Sequence, residues 1–315
     1  MFSALEDGLR RACSRTVPWL VLAVFTSAPP IHAQAIDDGL MMPKKALFTG
    51  VLYGHDEWSE YWEGTLKREN GNVGTLTTQS VAWMGTYGLV DRVNLIVQVP
   101  YIKAEASGGT LHSQSGLQDL TVALKGRLFQ AGRDDGNFLR AFAVASYGTP
   151  LSDYVADLFP LSIGMQSQRL GGRLTTHFRT PAGFFADATG AYTFRGNVTL
   201  DRPSYFTDGQ LFLTDQVDMP NVIDYTVRAG FMRRGFMFPI SYTQQNTLGG
   251  GDIRRQDMPF VSNRMNFTSV HAEVMYFLPG VSNLRLDLGA ARTLSGRNVG
   301  QSTSFMTGFT YALHL

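Results

Sequence analysis

Cysteine is almost missing from this chain: Cys13 is its one instance, and it lies in a leader expected to be removed. The remaining sequence therefore has no disulfide, no thiolate metal site and no cysteine nucleophile. Net charge is also missing. Removing residues 1–33 takes away three of the 27 basic and two of the 26 acidic residues, leaving 24 against 24. That balance argues against a nucleic-acid partner or a polybasic membrane contact. Long apolar runs are the third absence. The only sizeable one spans Val17 to about Ala28, too short for a helix to span a bilayer. Arg10, Arg11 and Arg15 precede it, and Ala33-Gln34-Ala35 follows Pro29-Pro30, so 1–33 reads as a secretory signal peptide and 34–315 as the exported protein. An exported chain without an apolar helix can still stay in a membrane by crossing it with strands.

Strand patterning is abundant. The last residues, Ser304 to Leu315, alternate Phe305, Thr307, Phe309, Tyr311, Leu313 and Leu315 with Ser304, Met306, Gly308, Thr310, Ala312 and His314. An apolar, aromatic face against a small or polar one, running to the terminus, fits the closing strand of a barrel with lipid outside and water inside. The same period of two recurs in segments of about ten residues or more. Twelve are expected, near 45–60, 74–87, 92–105, 117–130, 137–149, 165–179, 182–195, 221–233, 236–248, 264–278, 283–294 and 303–315. Connections alternate between short (Thr180-Pro181, Arg234-Gly235) and long (150–164, 196–220, 249–263). Aromatic residues gather at the strand ends, as two interfacial girdles require. The expected fold class is all-β: a transmembrane antiparallel β-barrel of about twelve strands, with short periplasmic turns and longer extracellular loops. A soluble sandwich or lipocalin-type barrel is the rival. Strand number, loop asymmetry and the terminal strand favour the membrane form.

With apolar faces outward, the polar faces line a lumen. The candidates are Lys125, Arg127, Arg140, Arg169, Arg173, His177 and Arg179 against Asp119 on one wall. Asp187, Asp224, Glu273 and Asp287 with Arg195, Arg228 and Arg285 fall on the other. Two readings stand: opposed charge walls that favour polar or ionised solutes, or neighbouring strands that pair charges, for example Arg195 with Asp224. Strand five is ambiguous, because Phe138 and Phe142 share the side of Arg140. Pro100 and Pro239 sit inside strands and cannot donate to a ladder. Pro100 is a candidate lateral exit or, alternatively, a bulge at the rim. The 150–164 loop carries Tyr154, Leu158 and Phe159, so it is expected to fold inward as a gate or to pack over the rim. Asp201, Asp208, Asp215 and Asp218 make the 196–220 loop acidic, with a spacing that matches no metal loop. No cofactor and no metal site is expected. Neither His112 beside Ser113 nor the His55-Asp56-Glu57 cluster finds the remaining members of a catalytic set, so the chain does not read as an enzyme.

Four segments carry a family resemblance: Tyr61-Trp62-Glu63-Gly64-Thr65-Leu66-Lys67-Arg68, then Gly74–Ser80, then Gly85-Thr86-Tyr87-Gly88, and finally Ser115-Gly116-Leu117-Gln118-Asp119-Leu120. Over roughly residues 50–130 the chain resembles the outer-membrane transporters grouped under the meta-pathway of phenol degradation. The resemblance implies an outer-membrane channel linked to the breakdown of aromatic or other organic compounds, with no catalytic residues to transfer. The expected function is facilitated diffusion of small organic solutes, among them aromatic acids or phenols. A non-transporting structural or ligand-binding barrel is the alternative. The expected partners are outer-membrane lipid and lipopolysaccharide, the solute, and the barrel-assembly machinery reached through the C-terminal strand, with no nucleic acid.

Overall fold

The computed structural model describes residues 36–254, 259–281 and 283–314. The leader and Leu315 lie outside the described residues. Twelve long strands form the wall: β1 Ala46–Trp58, β2 Leu76–Val90, β3 Val93–Ala106, β4 Asp119–Gly132, β5 Phe138–Pro150, β6 Arg169–Arg179, β7 Phe184–Arg195, β8 Val222–Arg233, β9 Phe236–Thr247, β10 Asn266–Phe277, β11 Leu284–Arg297 and β12 Thr303–His314. Each pairs antiparallel with its sequence neighbours, and β1 closes on β12 from Ala46↔His314 to Glu57↔Thr303. Closure leaves no long strand as an exposed edge.

The period of two decides which way side chains point. Tyr53, Trp83, Tyr101, Leu124, Tyr147, Leu174, Val227, Leu288 and Phe309 are exposed on the outer face. Their strand neighbours Ala82, Ile96, Lys125, Thr175, Thr226, Asp287 and Thr310 are buried inside. An apolar exterior around a polar interior is the reverse of a soluble barrel and rules out the sandwich or lipocalin form. The turns are tight where backbone chemistry permits. Arg234 and Gly235 both take positive φ (52° and 79°), the geometry of a two-residue hairpin turn whose twist matches the strands it joins.

Short strands in the loops have no counterpart in the twelve periodic segments. Glu60–Glu63 pairs with Leu66–Glu69, Gln114–Leu117 pairs antiparallel with the loop end of β3, and Tyr205–Thr207 pairs with Gln210–Phe212. The long loops then pack on one another. Ala156, Val198, Leu200, Tyr205, Val217, Met219, Phe260 and Val261 form a buried cluster from three loops, with the Tyr205 ring stacked 5.0 Å from Phe212 and 5.2 Å from Phe260. Beside them Arg297 grips Asp252 with two hydrogen bonds of 2.7 and 2.6 Å, and Asn298 adds a third at 2.8 Å. Those bonds hold the Asp252 carboxyl down at about 2 against partial burial.

Candidate functional site in the barrel lumen

Residues 36–44 precede β1 and run inside the barrel at its turn end. The interior side chains there are apolar enough to need a partner, and the segment supplies it. Leu40 packs with Phe185, Met232 and Met237; Met42 packs with Ala46, Phe48 and Ala312; Ile36 lies against Ile96, Ala123 and Val144. Each fully buried side chain of this kind contributes about 1.5–3 kcal/mol. Gly39 is required where the segment passes His177, since a Cβ there would fall on the imidazole ring.

Two carboxylates lock the segment to the wall at β4 and at β8. Lys125 on β4 is fully buried and donates from Nζ to Asp38 Oδ1 and to the Asp38 carbonyl, both at 2.6 Å. Arg228 on β8 donates to Asp37 Oδ2 at 2.6 Å and lies 3.6 Å from Asp187. His177 Nδ1 meets the other Asp187 oxygen at 2.5 Å, with its ring between Phe138 and Phe185. Arg285 and Asp287 pair at 2.8 Å along β11, and Thr310 donates to Asp287. Within the turn-end half, ionisable groups on five strands (β4, β6, β7, β8 and β11) and on the inserted segment close into pairs.

The other candidates divide by height. Arg140 binds Asp134 at 2.7 Å and lies over the Phe138 ring, while Arg127 and Arg140 share Gln130, all at the periplasmic turn. Phe138 and Phe142 point inward with Arg140, which settles the face of β5; Phe142 is fully buried. A bulge in β4 between Arg127 and Phe129 adjusts the register there. Near the loop end, Arg169 pairs with Asp119 at 2.8 Å, and Tyr154 donates to the same carboxylate at 2.6 Å. Tyr154 also packs with Leu161 and Ile163 against the inward-facing Leu76 and Ala104, so this part of the loop turns into the mouth. Phe159 joins the three-loop cluster instead, and Leu158 accepts the Leu161 and Ser162 amides in the turn between them. Burial and the hydrogen bond to Asp119 push the Tyr154 phenol well above its usual range.

Arg173, Arg195, Asp224 and Glu273 form a different group. Asp224 feels Arg173 and Arg195 through space but closes no ion pair with either, and Glu273 likewise feels Arg228 and Arg285 at a distance. The charge pair expected between Arg195 and Asp224 is therefore open.

The two strand prolines behave differently. At Pro100 the β2–β3 ladder is unbroken, with Ala82↔Pro100 in register. On the β4 side pairing jumps from Gln98↔Thr121 to Tyr101↔Leu117, while the Gln118 amide donates to the Pro100 carbonyl. That is a bulge, held closed by a hydrogen bond. At Pro239 the β9–β10 ladder passes from Met237↔Met275 to Ile240↔Ala272 with Phe238 and Pro239 unpaired on that side.

No family model matches the chain, and no curated protein matches it. Among solved structures it is similar to the COG4313 outer membrane channel from Pseudomonas putida F1, at 15% identity and a TM-score of 0.71. The likeness covers 89% of this chain and 100% of that one. The fold is that of an outer-membrane barrel. Looser likenesses are to the NanC porin, with 9% identity over 83% of this chain and all of that one at a TM-score of 0.45, and to the translocator domain of the autotransporter NalP from Neisseria meningitidis, with 8% identity over 84% and 88% at 0.45. A closed twelve-stranded barrel with an apolar outer face places the protein in the bacterial outer membrane, in contact with its lipid.

The sequence reading missed Asp37, Asp38 and Leu40. The available signal was indirect: inward-facing Phe48, Phe138, Phe142, Phe185 and Met237 all fall near turn-end strand termini, where a water-filled lumen has no use for them.

Proposed function

We propose that the protein is an outer-membrane channel for small organic solutes, gated by its own N-terminal segment. The observation that carries this reading is the attachment of residues 36–44. They are held by side-chain ion pairs to Lys125 and Arg228, by a few hydrogen bonds to wall side chains such as Asn94 to the Met42 carbonyl, and by apolar contacts, rather than by register in the sheet. An element held in that way can leave while the barrel stays intact. Aromatic acids or phenols are the proposed solutes, and a link to aromatic breakdown follows the family resemblance. Cations and rings sharing the lumen support this choice, as with Lys125 over Phe142 and Arg285 over Phe48. Assembly through the C-terminal strand and contact with lipopolysaccharide belong to the same proposal.

Flux into liposomes tests it, comparing benzoate, phenol and a sugar of similar size. The full chain is expected to admit the aromatic solutes faster than the sugar, with Asp37→Asn and Asp38→Asn together raising entry several-fold. No flux from either protein, shown folded by heat-modifiable gel migration, would favour a structural or ligand-binding barrel instead.

The missing pairs at Pro239 support a second route. Outside that seam lies a depression of about 460 Å³, lined by Phe238, Ala272, Val274, Leu288 and Phe305 and reaching Glu273. An apolar solute would pass sideways here between lumen and lipid. Pro239→Val restores a donor to the ladder; it should slow uptake of an apolar solute such as naphthalene and leave benzoate entry unchanged.

A further inference from the structure

The geometry points to a carboxylate-binding subsite in the lumen at Arg173 on β6 and Arg195 on β7, with Asp224 on β8 as its anionic edge. The inference deepens the channel reading above by naming where an organic acid is held and by which groups. Pairing places Arg173 beside Ala191 and Asp224 beside the same Ala191, so both face the lumen in one row across three adjacent strands. Arg195 sits four residues further toward the loops on β7, in register with Arg169.

Three features separate this cluster from the other interior charges. First, Arg195 Nη1 is buried without a hydrogen-bond partner; Arg285 Nε is too, but Arg285 has the Asp287 carboxylate at 2.8 Å, whereas the Arg195 guanidinium closes no ion pair among the described residues. A guanidinium N–H shielded from water and left unmade is costly, and a carboxylate oxygen is the acceptor that satisfies it best. Second, Arg173 makes no hydrogen bond or ion pair among the described residues; it acts only through space, on Asp224 and on Asp37 of the inserted segment. Third, the cluster carries a surplus of positive charge. Arg169 is already bound to Asp119, which leaves two free guanidinium groups facing one free carboxylate. Elsewhere in the interior Lys125, Arg228 and Arg285 are each within 3 Å of a carboxylate oxygen. Two forks with unused donors and one net charge suit a small organic monocarboxylate.

The floor of the subsite also has meaning. Arg173 attracts Asp37, whose carboxylate is bound to Arg228. The inserted segment therefore presents to Arg173 the same chemical group that the solute would bring.

Equilibrium binding of benzoate to the full-length, detergent-solubilised barrel tests the subsite, with benzyl alcohol as the neutral control of similar shape. Arg173→Gln with Arg195→Gln should weaken benzoate about tenfold or more and move benzyl alcohol less than about twofold. Asp224→Asn should strengthen benzoate, because it removes the competing carboxylate. If the double variant fails the heat-modifiability test, Arg195→Gln alone and Asp224→Asn still give opposite expected shifts. Benzoate that does not bind the unaltered protein overturns the subsite, as does an equal loss of benzoate and benzyl alcohol. Because binding is read without flux, a barrel that binds benzoate but passes nothing would refute the channel reading and keep the subsite.

Discussion

The two halves of the lumen use the same residue types to opposite ends. In the turn-end half Lys125, Arg228, His177 and Arg285 each close on a carboxylate, two of them supplied by a segment that is not part of the wall. In the loop-end half Arg173, Arg195 and Asp224 stand near one another and do not close. Paired charges make a fastening, and unpaired ones make a receptor. Two of the four closures are supplied by the nine residues ahead of the first strand, and the other two, His177 with Asp187 and Arg285 with Asp287, lie within the wall.

Breaking one partner of the fastening should have the largest effect. Lys125→Met leaves Asp38 buried without its cation, with an expected loss of about 3–5 kcal/mol from the docked state. Thermal unfolding of Lys125→Met against Lys125→Met with Asp38→Asn separates that penalty from any intrinsic worth of the pair; the double variant should recover most of the loss. Arg195→Gln should do the reverse. It removes a buried group that has no partner, so the melting temperature should stay level or rise slightly, and a fall of several degrees would mean that Arg195 is structural. The smallest effect belongs to the loops. Asp252 is held at about 2, below its ordinary range, so its contribution is present above the unfolded value near 4 and is lost as pH falls through about 2. Protease sensitivity of the 249–265 loop should rise in Asp252→Asn at neutral pH. In the unaltered chain it should rise only toward pH 2.

The barrel was legible because lipid outside and water inside impose the same period on every strand. Leu286, Leu288 and Ala290 against Arg285, Asp287 and Gly289 needed no structure to sort. Boundaries shifted by only a few residues, as where β2 runs on to Val90 and β11 to Arg297. The loop hairpins were not legible, since strands of two to four residues are too short to show a period. The inserted segment escaped for another reason. Its nine residues adopt no repeating geometry, and its partners are distant in sequence: Asp38 with Lys125, and Asp37 with Arg228. The puzzle of β5 was in fact its trace, because Phe138 and Phe142 face inward to a half of the lumen that Ile36, Leu40 and Met42 make apolar.

Single-channel conductance in planar bilayers tests the gate most directly, comparing the full chain with the variant carrying both Asp37→Asn and Asp38→Asn. The account predicts low, infrequent conductance for the full chain, longer or larger openings for the variant, and a difference that narrows at high salt as the ion pairs are screened. Identical conductance at every salt concentration, from two equally folded barrels, would contradict the claim that these two carboxylates hold the lumen closed.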